Sequence, residues 1–198
     1  MSRARIQSLA VTVVWALLAV QPLAASAQEG SADASLVGSY VGAGFSYGVQ
    51  NFDRDEATNV DDAYGGIFWM GYRLADLWSL ETQVEYLKGF DLTFAGEDGD
   101  GQYITATVNA KFFPLATLVP NRVEPFVFVG LGAGWIQVSV GGRSDIEEVA
   151  FLTRAGGGID FYITPEVAIQ ASASFVQPTQ DLSNYSYTST MIGLQYRF

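Results

Sequence analysis

The residues with the greatest chemical potential in this sequence are charged side chains that recur at alternate positions within apolar segments. In an extended chain, side chains at i and i+2 share a face, so Glu81 and Glu85 lie on one face of their segment. Similar positions in this and other segments complete a set of six, Glu81, Glu85, Lys111, Arg154, Asp160 and Arg197. Opposite charges that share an enclosed interior pair with each other, because an unpaired buried charge is costly. The set therefore predicts an internal ion-pair network, with a gated ion path along that network as the alternative.

A second candidate site is acidic and lies between two of the apolar segments. Asp98 and Asp100 stand in the stretch Glu97-Asp98-Gly99-Asp100-Gly101. Carboxylate and carbonyl oxygens are the ligands that Ca²⁺ prefers, but the complete EF-hand spacing is missing. We treat Asp98 and Asp100 as weak cation ligands, and the alternative is a solvated acidic surface.

Residue types that are missing exclude more chemistry than these motifs suggest. The chain has no histidine, which is the usual general base near neutral pH, and no cysteine for a disulfide, thiolate metal site or redox site. Serines such as Ser172, Ser174 and Ser189 therefore have no histidine to activate them. Glu81 and Glu85 would be about 13 Å apart on one strand, beyond the roughly 5–9.5 Å of paired glycosidase carboxylates. We predict that the protein is not an enzyme and needs no cofactor.

The elements that position these residues all have a period of two. Eight alternating segments are predicted as β-strands, at 39–50, 63–74, 78–90, 102–113, 124–140, 149–161, 167–177 and 189–198. The fifth is apolar on both faces, so its orientation is left open, although Gly130, Gly132 and Gly134 fit the crowded side. No segment shows a convincing helical period. The sequence predicts an all-β fold.

The connections between the strands alternate in character. Residues 73–77, 114–122 and 162–166 form compact joins, whereas residues 51–62, 91–101, 141–148 and 178–185 are polar and hold most of the acid. Short turns that alternate with longer loops are typical of an antiparallel up-and-down barrel in an outer membrane. The competing fold is a soluble barrel or sandwich with its apolar face inward. Opposed charges on faces with small residues, and aromatic residues near strand ends, favour the transmembrane barrel.

The amino terminus predicts export. Arg3 and Arg5 precede an apolar run, and Ala25-Ser26-Ala27 supplies the small residues of a signal-peptidase site, so residues 1–27 are interpreted as a signal peptide. An uncleaved anchor is the alternative, but the run is shorter than about 20 residues. Residues 28–38 form a polar leader and residues 39–198 the barrel domain. Cleavage removes two of the ten basic residues and none of the 21 acidic ones, which leaves a formal charge of −13. This charge disfavours nucleic acid as a partner.

Several motifs resemble those of a known family. They are Gly71-Tyr72-Arg73-Leu74, the glycine-rich stretches at 124–134 and 156–161, and the terminal Tyr196-Arg197-Phe198. Together they make the chain similar to the small outer-membrane β-barrels, namely the OmpA transmembrane domain, OmpX and the opacity proteins. The resemblance implies that the terminal strand, with Tyr196 and Phe198, is the signal read by the outer-membrane assembly machinery. It also implies a location in the cell outer membrane, in contact with lipid and lipopolysaccharide.

Eight strands bound an interior that side chains can fill, so we do not expect an open pore. We expect a non-enzymatic barrel with a structural and surface-interaction role, and its acidic loops are candidate sites for divalent cations. The alternative is a small transport or ligand-binding barrel for a hydrophobic or ionic solute.

Overall fold

The computed structural model describes residues 37–50, 62–94, 97–116, 122–140, 143–179 and 186–198, and within strands it does not describe the side chains of residues 90–101 and 136–148. Eight strands occupy these ranges. They are β1 (Gly38–Gln50), β2 (Ala63–Ala75), β3 (Trp78–Phe94), β4 (Glu97–Phe112), β5 (Val123–Val140), β6 (Arg143–Tyr162), β7 (Val167–Pro178) and β8 (Tyr187–Arg197). The predicted signal peptide lies outside the described residues, as does the leader up to residue 36.

The strands form a closed barrel in the order of the chain. Each strand pairs antiparallel with its sequence neighbours, and β1 pairs with β8 from Tyr40↔Arg197 to Gln50↔Tyr187. Closure leaves no unpaired sheet edge within the barrel wall, which is a requirement for strands in a bilayer. The predicted eight-stranded antiparallel up-and-down barrel is confirmed.

The barrel wall has its apolar face outside. On β1, Phe45 is 79% exposed whereas its neighbour Ser46 is 4% exposed. On β6, Phe151 is 72% exposed and Arg154 is 2% exposed. This arrangement is the reverse of a water-soluble protein, and it follows from a lipid solvent outside and a narrow polar interior. The same alternation orients β5, in which Phe126 and Phe128 are buried and Gly134 lies on their face.

Two of the predicted loops are wrong. Residues 91–94 and 97–101 belong to β3 and β4, which pair as far as Phe94↔Glu97. Residues 143–148 belong to β6, which pairs with β5 as far as Val140↔Arg143. These stretches are polar at every second position and rich in glycine, so their composition indicates loops. They form strands nevertheless, because each extends a hairpin that is already in register within the barrel wall.

The three compact joins lie at the end of the barrel that carries both of its termini. Asp76 and Leu77 turn the chain between β2 and β3. In the β6–β7 turn, the Thr164 hydroxyl accepts hydrogen bonds from the backbone N–H groups of Glu166 and Val167. At the closing seam, the Phe198 N–H donates to the Ser39 carbonyl at 3.0 Å. We take this end as periplasmic, since short turns face the periplasm. None of the described segments is a helix of the length and hydropathy that a membrane span needs.

Candidate functional site

The first charged group in the lumen is centred on Glu85 of β3. Its carboxylate accepts hydrogen bonds from Arg154 Nη1 at 3.1 Å, Tyr187 OH at 3.2 Å and Ser189 Oγ at 2.5 Å. Arg154 in turn donates from Nε to Ser174 Oγ at 2.9 Å. All five side chains are buried, so the ion pair is fully desolvated and joins strands on opposite sides of the barrel.

A second ion pair lies nearer the periplasmic end. Lys111 Nζ is 2.9 Å from Glu81 Oε2 and 3.3 Å from Gln170 Oε1. The Tyr40 hydroxyl donates to the same Glu81 oxygen at 3.1 Å. The ammonium also lies 4.0 Å from the centre of the Phe126 ring, within range of a cation–π interaction. The charge of the buried Lys111 ammonium is therefore compensated by the Glu81 carboxylate and by the face of the Phe126 ring.

Asp160 and Arg197, the other two predicted lumen charges, line one cavity at the periplasmic end. Asp160 is buried, and its Oδ1 atom has no hydrogen-bond partner within the described part of the chain. Arg197 is partly exposed, with its guanidinium 4.7 Å from the Tyr162 ring centre and bonded to the Tyr162 hydroxyl. The cavity offers about 10 Å³ to the centres of water-sized molecules. That volume is room for about one water.

A third ion pair was missed by sequence reasoning. Arg73 Nη1 lies 2.6 Å from Glu124 Oε2, and the same carboxylate oxygen accepts from Tyr162 OH at 3.1 Å. Both partners are buried. Arg73 had been assigned to a turn, and Glu124 to a strand of open orientation. The available signal was that both charges stand at the periplasmic ends of their strands, Arg73 on the face of β2 opposite Phe68, Met70 and Tyr72, and Glu124 on the glycine face of β5.

Apolar layers fill the lumen beyond the charges. At the periplasmic end Phe113, Phe126 and Phe128 form a buried cluster, with the Arg73 guanidinium 3.9 Å from the Phe113 ring centre. At the outer end lies a second cluster, made up of Ala63, Leu87, Tyr103, Leu152, Val176 and Tyr187. Ion pairs and apolar clusters thus fill the lumen together, with the Arg73–Glu124 pair beside the periplasmic cluster.

Glycines on the inner wall make room for the bulky lumen side chains. Trp69 is fully buried and donates from Nε1 to Gln195 Oε1 at 3.1 Å. A Cβ atom added at Gly42 would lie 2.2 Å from Trp69 Cε2, and one at Gly193 would lie 2.7 Å from Trp69 Cη2. The inner surface of the barrel wall is therefore complementary to the Trp69 side chain. Glycine is required at Gly42 and Gly193 because the Trp69 ring approaches the backbone closely, and not because of the backbone conformation.

The serines of the polar face lie inside this filled interior. Ser189 donates to the Glu85 carboxylate, which sequence reasoning had not foreseen as its partner. Ser189 is 1% exposed and also accepts from Arg154 Nη2 at 3.3 Å. The hydroxyl is therefore held in a structural network and is shielded from any substrate in this state.

The remaining predicted residues are placed as follows. Asp98 and Asp100 belong to β4, opposite Thr93 and Asp91 of β3, but their side chains lie outside the described residues. Among the residues that are described, no group of three potential ligands is positioned to hold a metal ion. Tyr196 and Phe198 are exposed on the outer face of the seam, and their rings pack edge to face at 5.2 Å.

Comparison with known families accounts for this architecture. The family described as "Outer membrane protein beta-barrel domain" matches residues 11–198. The chain belongs to this family. Its members' location applies here, so the protein resides in the outer membrane and its exposed apolar belt contacts lipid. A comparison with curated proteins found no match.

Solved structures of the outer-membrane β-barrel kind share the fold at low identity. Ail, the attachment invasion locus protein of Yersinia pestis, is 19% identical with a TM-score of 0.60, over 82% of this chain and 99% of its own. Neisserial surface protein A is 17% identical with a TM-score of 0.62, over 81% and 97%. The amino-terminal barrel of Pseudomonas aeruginosa OprF is 18% identical with a TM-score of 0.53, over 82% and 98%. The resemblance to small outer-membrane barrels inferred from sequence is confirmed.

Proposed function

We propose that this outer-membrane barrel has a structural and surface-interaction role and catalyses no reaction. The observation that carries the proposal is the filled lumen, in which three buried ion pairs alternate with clusters of buried apolar side chains. A barrel of eight strands has little free bore even before such filling. The parts of the chain that remain available to partners are then the outer ends of the strands and their connections.

The lumen network supports this role by fixing the shape of the wall. Arg154 and Glu85 join β6 to β3, Lys111 and Glu81 join β4 to β3, and Arg73 and Glu124 join β2 to β5. The charges compensate each other locally, so movement of an ion past them would require at least one buried pair to separate. Separation of a buried pair leaves an uncompensated charge, at a cost of several kcal/mol.

The outer connections determine the type of partner. The four polar stretches 51–62, 91–101, 141–148 and 178–185 contain thirteen of the 21 acidic residues but only Arg54 and Arg143 as basic residues. Ail has been solved in complex with the heparin analogue sucrose octasulfate. For the present chain a polysulfated ligand would meet strong repulsion at this end. Cationic partners, and divalent cations that bridge to lipopolysaccharide, are favoured instead.

Biogenesis is the second part of the proposal. Residues 1–27 act as a signal peptide, and Tyr196 with Phe198 forms the terminal aromatic motif that the assembly machinery reads. The exposed rings of both residues support this role, because they lie on the lipid-facing surface of the closing strand. Asp98 and Asp100 remain weak candidates for a divalent cation.

Conductance measurements test the proposal against the transport alternative. The purified protein is inserted into a planar bilayer. A second sample contains the double variant Glu85→Leu/Arg154→Met, which replaces both charged side chains of the Arg154–Glu85 ion pair with apolar ones. We expect no steady open channel from the unmodified protein. A steady conductance that the double variant alters would overturn the proposal and establish a transport path along the lumen.

A further inference from the structure

Two buried polar atoms of opposite kind face the cavity at the periplasmic end of the barrel. Asp160 Oδ1 is a hydrogen-bond acceptor and Arg73 Nε is a donor, and neither has a partner among the groups of the described residues. Both side chains line this cavity, and they are 1% and 2% exposed. Buried polar atoms in folded proteins are nearly always hydrogen-bonded. An unpaired donor and an unpaired acceptor in one cavity therefore need a common explanation.

The barrel wall brings the two groups together from different strands. Asp160 lies on the inner face of β6, where register pairs it with Glu124 of β5 and Gln170 of β7. Arg73 reaches across the lumen from β2 and donates to the Glu124 carboxylate from Nη1 at 2.6 Å and from Nη2 at 3.4 Å. Since Glu124 and Asp160 are neighbours in the sheet, the same guanidinium comes close to both carboxylates.

The Asp160 carboxylate has no direct counter-ion in the part of the chain that the structure describes. None of the three ion pairs found there includes Asp160. Arg197 lines the cavity as well, but its guanidinium is bonded to the Tyr162 hydroxyl and lies over the Tyr162 ring. The cations that act on Asp160 through their charge, Lys111 and Arg73, each belong to one of those pairs. The charge of Asp160 is therefore compensated only indirectly by the protein itself.

The two unpaired atoms restrict what the cavity can bind. An occupant that satisfies both must accept a hydrogen bond from Arg73 Nε and donate one to Asp160 Oδ1. A metal ion or an ammonium ion has no lone pair to offer the Arg73 donor, and a chloride ion has no hydrogen to offer the carboxylate. A water molecule does both, and the cavity has room for about one. Buried waters typically make about three hydrogen bonds, and Tyr40, Tyr162 and Gln195 supply further polar groups to the cavity wall.

We propose that a single resident water molecule bridges Arg73 Nε and Asp160 Oδ1 and forms an additional, water-mediated ion pair in the lumen. A bridging water is enthalpically nearly as favourable as a direct hydrogen bond. The Arg73 guanidinium binds Glu124 directly and Asp160 through the water, so one cation of β2 serves two carboxylates, on β5 and β6. The inference does not depend on the proposed surface-interaction role.

The water is detected by NMR on the mature barrel in detergent micelles, with isotope-labelled arginine. The Hε signals of Arg73 and Arg154 are assigned by their loss in Arg73→Lys and Arg154→Lys. A long-lived water next to a proton gives cross-peaks of opposite sign in the laboratory and rotating frames, whereas proton exchange gives the same sign in both. We expect such a dipolar cross-peak with water at Arg73 Hε. Arg154 Hε is the internal control, because Arg154 Nε donates to Ser174 Oγ at 2.9 Å and its proton should show no resident water.

Asp160→Glu tests where the water is held. The added methylene group carries the carboxylate into the cavity, where it replaces the water and accepts directly from Arg73 Nε. The dipolar cross-peak should disappear, and the Arg73 Hε signal should move downfield because its acceptor is then a carboxylate. Asp62→Glu is the matched control, since it makes the same change at an exposed position before β2 and should leave the cross-peak unchanged. Both variants are first shown to migrate as compact barrels before boiling.

Three NMR results would overturn the inference. The first is the absence of a dipolar cross-peak at Arg73 Hε in the unmodified protein. The second is an unchanged cross-peak in a folded Asp160→Glu variant, because the signal would then come from a tyrosine hydroxyl or from a water elsewhere. The third is a shift of the Arg73 Hε signal when sodium is replaced by choline or chloride by gluconate, since a dissolved ion would then occupy the cavity.

A crystal structure of the unmodified barrel is a second measurement that requires no variant to fold. We expect density for a water within hydrogen-bond distance of both Arg73 Nε and Asp160 Oδ1. A direct contact between these two atoms, or a different protein partner for either, would contradict the inference. The proposed function is tested separately by conductance, so a closed barrel without this water refutes only the water-mediated pair.

Discussion

Replacement of Glu85 by glutamine should be among the most destabilising single changes that preserve side-chain shape. The substitution leaves the Arg154 guanidinium uncompensated in a fully buried position, and it places an amide donor where three donors now converge on a carboxylate. Removal of one partner from a buried ion pair typically costs about 3–5 kcal/mol. With a urea slope of about 2 kcal/mol per molar, the unfolding midpoint should fall by about 1.5–2.5 M.

The assay is a urea titration of the barrel folded into phosphatidylcholine vesicles. The compact fraction is measured by migration of unboiled samples in a gel, with tryptophan fluorescence as a second probe. Glu166→Gln is the matched control, because Glu166 is exposed in the β6–β7 turn and accepts only from the Thr164 hydroxyl among the described side chains. This control should stay within about 0.5 kcal/mol of the unmodified protein.

The pair is then tested as a unit by a double-mutant cycle. Arg154→Met removes the stranded charge, so the combination of Glu85→Gln with Arg154→Met should recover at least about 1.5 kcal/mol relative to additivity. The reasoning is refuted if Glu85→Gln shifts the free energy of unfolding by less than about 1 kcal/mol, or if the two substitutions are additive. Either result would mean that water reaches the pair and that the lumen is not sealed as the structure indicates.

Four further outcomes are expected. Gly42→Val should prevent formation of the compact barrel, because even its Cβ atom would overlap Trp69, and gel migration of refolded protein checks this. Trp69→Ala should instead fold with a loss of about 3–5 kcal/mol in urea titrations, since it leaves a cavity where the indole now packs. Arg73→Lys should lower stability by about 1–3 kcal/mol, because lysine cannot reproduce the two-pronged contact with Glu124. Deletion of Phe198 should reduce the amount of barrel in outer membranes of cells while purified protein still refolds in detergent, which would separate a targeting role from a stability role.

The fold could be predicted almost completely from alternation. The faces of β3 were fixed by Leu80, Val84 and Tyr86 on one side and Glu81, Gln83 and Glu85 on the other, and burial in the structure matches that division. The prediction failed at the outer ends of β3 and β4. Beyond Gly89 the glycine-rich acidic sequence indicates a loop, whereas the structure continues β3 to Phe94 and begins β4 at Glu97.

The lumen was only partly predictable. The sequence placed Lys111 and Arg154 on inner faces, but it could not determine that Lys111 pairs with Glu81 whereas Arg154 pairs with Glu85. It also left Arg73 and Glu124 unpaired, because they are 51 residues apart and one belongs to a strand that is apolar on both faces. Alternation specifies the face on which a side chain lies, and it gives no information about the side chain opposite.

The sequence by itself determined what depends on local chemistry. A period of two, a lipid-compatible face and the absence of histidine and cysteine are properties of the chain. They determined the number of strands, the orientation of the strands other than β5, and the exclusion of histidine- and thiol-based catalysis. Only the tertiary structure decided which charges pair across the lumen, which glycines accommodate Trp69, and how far β3 to β6 extend in length. These features depend on strand register around a closed barrel, which sets the distances between residues remote in sequence and is a property of all eight strands together.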